Sequence, residues 1–184
     1  MRCEKPPHIC AMNVLEYFKP IKAFMFDVDG VLTDGSVILL ENGLQARTMN
    51  VKDGLALQMA LKAGYRVIIV SGGSSEPVRG RLRYLGLEDV HLGLKDKLKF
   101  LEQLKEQYSL DWNEILYMGD DLPDLAVLEK VGLSCCPADA VAEVKSIVKY
   151  ISPVEGGKGA VRDVIEKVLK VNHHWRYVPE ITSR

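Results

Sequence analysis

The chain has 184 residues, with 24 Lys and Arg against 25 Asp and Glu and a formal net charge of −1. Signs so evenly mixed give no electrostatic reason to bind nucleic acid or an anionic membrane, so a small-molecule partner is expected. No run approaches the roughly 18 apolar residues that cross a bilayer, and the opening MRCEKPPHIC has no apolar signal core, which makes a cytoplasmic location the expectation. The length suits one domain. Cys3, Cys10, Cys135 and Cys136 have neither disulfide-framework nor metal-ligand spacing, and the last two, adjacent on a strand, would point to opposite faces.

Taken in chain order, residues 1–20 contain Pro6, Pro7 and Pro20 and little periodicity. They read as an extension, or a short helix around 14–18, dispensable for chemistry. An apolar strand is expected over 23–28, then a loop or hairpin over 36–49. A helix over 54–63 follows from the stripe Ala56, Met59, Ala60 and Ala63, with Gly64 as its stop. Further strands fall over 66–70, 89–91, 115–118 and 132–135, with Tyr150 in a weak last one. Asp139 reads as a helix cap. The stripe Val161, Val164, Ile165, Val168 and Leu169 gives a final helix over 160–170. Strands alternating with helices predict a doubly wound, Rossmann-like parallel α/β sheet with helices on both faces. The domain is expected over 21–172, followed by a tail over 173–184. His8, His91, His173 and His174 lie off every motif and are assigned no chemistry.

Two acidic clusters stand at strand ends. In FMFDVDGVLTDG, Asp27 and Asp29 are one residue apart and share a face where the first strand runs into a glycine turn. Crowded carboxylates repel, and a hard divalent cation such as Mg²⁺ relieves that repulsion while leaving room for phosphate and water. A plain acidic Asx turn accounts for DxDG alone. GDDLPDL, with Asp120, Asp121 and Asp124, follows another apolar strand and opens a helix. If the two strands are neighbours in one parallel sheet, Asp27, Asp29 and Asp120 meet at its carboxyl edge, where such sheets bind ligands. Asp124 reads more readily as a helix N-cap than Asp120 does.

These motifs, with VIIVSGG and Lys97 in GLKDKLKFLEQL, resemble the haloacid dehalogenase superfamily of aspartate-nucleophile phosphatases, from about residue 22 to residue 169. DGVLTDG, VKDGLALQMALKAG, LGLKDK and GGKGAVRDV together most resemble the 3-deoxy-D-manno-octulosonate 8-phosphate phosphatase subfamily, with relatives acting on nine-carbon keto-sugar acid phosphates close behind. The resemblance implies Asp27 as nucleophile, Asp29 as acid and base, and Mg²⁺ held by the Asp27 side chain, the Asp29 backbone carbonyl and the Asp120 side chain, with Asp121 bound directly or one layer out. Ser71 and Gly72 would meet a phosphoryl oxygen, and Lys97 would balance charge as a mobile cation. Many members of the subfamily have Thr-Gly-Arg where this chain has Ser71, Gly72 and Gly73. That leaves part of the recognition unassigned, with Arg79 and Arg81 as weak substitutes.

The spacing between motifs leaves no room for a cap domain, and an open site grips little beyond the phosphate. The resemblance supplies a homotetramer in which the hairpin builds an intersubunit barrel, and a tail, Gly156 to Arg162, that contacts substrate. The glycines alone favour a flexible linker there. For the sugar, Thr33, Asp34, Gly35, Arg47, Asn50 and Asp53 are candidate readers. Its carboxylate calls for a cation, from among Arg47, Lys52 and Lys158. The expected substrate is therefore a phosphorylated sugar acid. The alternatives are a nine-carbon acid phosphate and a catalytically silent binding module.

Overall fold

The computed structural model describes residues 13–176 and Ile181. A six-stranded sheet, parallel at every pairing, forms from β1 (Ala23–Phe26), β4 (Arg66–Ser71), β5 (Val90–Leu92), β6 (Ile115–Met118), β7 (Leu133–Cys136) and β8 (Tyr150–Ile151). Its order is β5-β4-β1-β6-β7-β8, so the chain winds one way from β1 to β5 and then the other way from β6 to β8. The reversal lies between β1 and β6, where the loops leaving both strands diverge and open a crevice. The two short strands β2 (Ile38–Leu39) and β3 (Gln45–Ala46) form a separate antiparallel hairpin.

Alternation along the strands sends residues to two cores. Phe24 and Phe26 of β1, with Val67, Ile69, Leu116, Met118 and Cys135, pack under α1 (Val51–Lys62), α2 (Glu76–Tyr84) and α6 (Ala160–Val171). Ala23 and Met25, with Ile68, Val70, Tyr117 and Cys136, face α3 (Lys97–Gln107), α4 (Leu125–Leu128) and α5 (Ala142–Ile147). Cys135 and Cys136 thus lie on opposite faces, buried and free, as alternation requires. Cys3 and Cys10 lie outside the described residues. Among those residues no helix is long and apolar enough to cross a membrane.

Several boundaries differ from expectation. The first strand ends at Phe26, because the backbone turns once Asp27 has bonded to Met118 O, and Val28 O then receives the N–H groups of Leu32 and Thr33. α1 starts at Val51, three residues before its apolar stripe would place it. Asn50 explains this: its side-chain oxygen accepts from Lys52 N at 2.9 Å and caps the first turn. Residues 14–18 form a 3₁₀ helix whose Phe18 is fully buried, edge-on to the Tyr150 ring, which makes this stretch part of the core. The expected tail over 173–184 lies partly outside the described residues. Within it, His174 Nδ1 hydrogen-bonds Tyr65 OH, and the Arg162 guanidinium lies over Trp175.

The glycine-rich stretch before α6 is no linker. Gly156 N donates to Asp139 Oδ1 and Gly157 N to Val31 O, both at 2.9 Å. Asp139 therefore holds this loop, and α5 starts at Ala142, with Val141 before it and no side-chain cap. A Cβ on Gly156 would stand 1.9 Å from Gly30 O, so only glycine lets the loop lie on the turn that follows β1. Gly156→Ala is expected to cost on the order of 3 kcal/mol in urea denaturation, since backbone must move. Gly43→Ala, in the open hairpin turn at φ +78° with nothing within 4 Å of its Cβ, is expected to cost only the left-handed penalty of about 1–2 kcal/mol. Equal losses would deny that the contact with Gly30 matters.

Candidate active site

The register pairs Phe26 with Met118, so the next residues, Asp27 and Gly119, leave the sheet side by side and Asp120 follows at once. Oxygens of Asp27, Asp120 and Asp124 lie within 4.8 Å of one another. Two glycines make this approach possible. A Cβ on Gly30 (φ +79°) would stand 2.0 Å from Asp120 Oδ2, and one on Gly119 would stand 2.4 Å from the Asp124 carboxyl.

Lys97, at the first position of α3, reaches between the two strand tips. Its Nζ is 2.8 Å from Asp27 Oδ2 and 2.7 Å from Asp124 Oδ1. The residue is 7% exposed, so it is a clamped ion and not the mobile cation expected from sequence. Burial alone would lower its ammonium, but the Asp27 and Asp124 carboxylates outweigh this and raise it. Asp124 is fully buried and makes no side-chain cap bond. It accepts from Tyr117 OH at 2.5 Å, from Lys97, and from Asp120 N at 3.1 Å. Asp124 thus stands at the N-cap position of α4, as expected, but its carboxylate does not cap the helix: it anchors the lysine and the second strand tip together. The hydroxyl on the otherwise apolar strand ILYM is the sequence signal that points to it, since a buried tyrosine hydroxyl needs a partner.

The crowding has an electrostatic signature. Asp27 is pushed up to about 6, first by burial and then by Asp124, with Lys97 opposing. Asp120 is pushed up to about 7, by burial, then Asp27, then Asp124. One ammonium does not neutralise these carboxylates.

Asp29 lies at the edge of the same cleft, a space of about 320 Å³ lined by Asp27, Asp29, Gly30, Gly35, Ser71, Gly72, Gly73, Lys97, Asp120, Asp121 and Pro123. Ser71 is buried, and its Oγ accepts from Gly73 N at 3.1 Å, which leaves the hydroxyl proton for a ligand. Asp121 is exposed and its carboxylate accepts from Leu122 N. Gly72, expected to meet phosphate, lines the cleft, and of the expected sugar readers so does Gly35. Asp34 stands just before Gly35, paired with exposed Lys158 at 3.5 Å, and Lys52 is exposed on α1. Arg47 reaches Asp29. Thr33 does not face the cleft: it is fully buried, and its Oγ1 bonds Val28 O, Gly30 N and Gly35 N, shaping the turn. Asp53 is also corrected. It is 1% exposed, and its Oδ1 accepts from Arg162 N at 2.7 Å, so it joins α1 to the first turn of α6 and cannot meet a sugar. Burial pushes its carboxyl up to about 6. Arg79 is spent on Glu76 and Val90 O, and Arg81 lines a separate groove beside the hairpin.

This arrangement has known counterparts. Residues 87–165 match the haloacid dehalogenase-like hydrolase family. The 3-deoxy-D-manno-octulosonate 8-phosphate phosphatase of Escherichia coli K12 is 35% identical over 157 residues, covering 85% of this chain and 84% of that protein. The chain belongs to this phosphatase family. Two structures of family members superpose closely. The enzyme from Moraxella catarrhalis, solved with magnesium, phosphate and KDO, gives a TM-score of 0.83 at 35% identity, covering 86% of this chain and 91% of that one. The cobalt-bound enzyme from Haemophilus influenzae gives 0.81 at 34%, covering 85% and 92%.

The residues of this family member fit such a cation. Asp27 and Asp120 offer hard oxygen donors that lack a full counter-charge, whereas Asp124 has its oxygens committed to three donors. Because the folded values of Asp27 and Asp120 lie above the ordinary 3.8, their contribution to metal-free stability is present at low pH and is lost as pH rises through about 6 and 7. A divalent cation needs both ionised. The rise in Tm on adding Mg²⁺ is therefore expected to be larger near pH 8 than near pH 5, read by differential scanning fluorimetry. A shift independent of pH would contradict the assignment, and so would an equal shift in Asp120→Asn.

Proposed function

We propose that this protein is a Mg²⁺-dependent phosphatase that hydrolyses 3-deoxy-D-manno-octulosonate 8-phosphate to the free sugar acid and inorganic phosphate. The observation that carries this reading is the Asp27 carboxyl, held beside Lys97 and Asp120 in a cleft that is also lined by a second carboxyl, Asp29.

Asp27 attacks phosphorus in line, forming an aspartyl-phosphate as the bond from phosphorus to the sugar oxygen breaks. Asp29 gives its proton to that leaving oxygen. Water then attacks phosphorus, Asp29 takes a proton from it, and the bond to Asp27 breaks to release phosphate and restore the carboxylate. Lys97 stays protonated between Asp27 and Asp124, facing the incoming phosphate with positive charge in a water-poor site. Ser71 Oγ and the Gly72 N–H donate to phosphoryl oxygens. Asp27, Asp120 and the Asp29 carbonyl would hold the cation, with Asp121 at its outer side. When bound, it offsets repulsion between Asp27 and phosphate and neutralises charge on the equatorial oxygens.

The rest of the substrate is met at the rim, where Asp34 and Gly35 can read hydroxyls and exposed Lys158 offers the cation for a sugar carboxylate. The family's substrate, the sugar acid phosphate, is supported by the relatives named above. The functional unit is a homotetramer in the cytoplasm. What supports assembly is the hairpin, which leaves Val37, Ile38, Leu39, Leu40 and Leu44 exposed, Leu39 at 77%, an apolar surface that a partner subunit would cover.

Phosphate release from p-nitrophenyl phosphate is expected to require Mg²⁺ and to fall by roughly 10³-fold or more in Asp27→Asn. Lys97→Met is expected to lose about 10²-fold in kcat. If the wild-type chain with Mg²⁺ releases no phosphate from this ester or from the sugar acid phosphate, the phosphatase reading fails.

A further inference from the structure

The hairpin sends one charged side chain into the site from outside the sheet. Arg47 follows β3 directly. Its neighbours Gln45 and Thr48 are exposed, yet the Arg47 side chain is only 13% exposed, and its Nε donates to Asp29 Oδ1 at 2.7 Å. The other oxygen, Asp29 Oδ2, lies beside Gly73, where a Cβ would stand 3.0 Å away. Gly73 and Asp29 both line the cleft that holds Asp27. The arginine itself lies in a tight space against Ser71, Gly73 and Val78.

A surface ion pair contributes little and leaves its side chains wet. Here a guanidinium is drawn out of water to grip one oxygen of a carboxyl that is itself 40% exposed, and such burial is costly unless the geometry repays it. A donor held on Oδ1 from a half-buried guanidinium also restricts the rotation of the carboxyl group, which is free in an exposed aspartate.

Building on the phosphatase reading, we propose that Arg47 is a positioning residue for Asp29: by holding Oδ1 it keeps Oδ2 turned toward the cleft, where the proton passes to the leaving oxygen. In that step the bond from phosphorus to the leaving oxygen breaks, its electron pair stays on that oxygen, and the proton moves from Oδ2 to it. Arg47 touches neither phosphorus nor the leaving group. Its effect runs through Asp29 alone, and the hairpin thereby contributes to the acid as well as to the surface.

The test uses the full chain with Mg²⁺ and two esters. p-Nitrophenyl phosphate has a leaving group stable as an anion, and phenyl phosphate has one that needs a proton more. In Arg47→Ala, kcat is expected to fall about tenfold further on phenyl phosphate than on p-nitrophenyl phosphate, with KM nearly unchanged. In an Asp29→Asn background, the same substitution is expected to change kcat by less than about twofold, because the group it positions is already disabled. Arg47→Met, which keeps the aliphatic bulk, is expected to repeat both patterns. Equal losses on the two esters, an additive loss in the double variant, or a raised KM at unchanged kcat would each overturn the proposal, the last by making Arg47 a substrate-binding residue. Loss of the folded state in both Arg47 variants would also overturn it, by showing a structural role. These outcomes concern Arg47 only when the wild-type chain is active, whereas an inactive wild-type chain removes the phosphatase reading itself.

Discussion

Three carboxylates crowd the point where the sheet reverses its winding, with one buried ammonium between them. In a low-dielectric setting that arrangement is unstable on its own, because the negative charge exceeds the positive and burial disfavours every ionised acid. The structure answers with donors where it can. Tyr117 OH, Lys97 and the Asp120 N–H saturate Asp124, and the Val28 N–H bonds Asp27 at 2.7 Å. What is left over, chiefly on Asp27 and Asp120, suits a divalent cation and a phosphate arriving together.

Much of the surrounding fold serves to hold this charge in place. Parallel pairing of β1 with β6 sets two strand tips adjacent. Gly30 and Gly119 vacate the volume into which the opposing carboxylates press, and Gly156 lets the loop before α6 lie directly on the β1 turn. Thr33, inside that turn, bonds three of its backbone groups, and Asp53 pins the start of α6 to α1. None of these residues touches a substrate, yet each restricts where Asp27 can stand. Arg47 extends the same logic to Asp29 from the hairpin side.

The sheet and the two acidic strand ends were legible because short apolar runs ending in Asp and Gly leave few other readings. Asp27 and Asp120 could be placed by strand periodicity alone once the strands were taken as neighbours. Asp124 was not legible: an acid opening a helix looks like a cap, and of its true partners Lys97 comes from a distant element while Tyr117 sits on an otherwise apolar strand. The sugar readers were over-assigned for a related reason. Thr33 and Asp53 are polar residues close in sequence to the motifs, but proximity along the chain says nothing about burial, and both turned inward to satisfy backbone N–H groups. The glycine-rich stretch looked flexible because composition shows freedom and conceals close approach. Its contact with Gly30 spans most of the chain.

The central claim is that a carboxylate of the protein, Asp27, takes the phosphoryl group before water does. The stereochemistry at phosphorus tests this most directly, using a substrate ester whose phosphoryl group is made chiral with oxygen isotopes and thiophosphoryl substitution where needed. Two in-line displacements, one by Asp27 and one by water, give overall retention of configuration, the result expected here. Inversion would mean that water attacks the substrate in a single step, leaving Asp27 no covalent role.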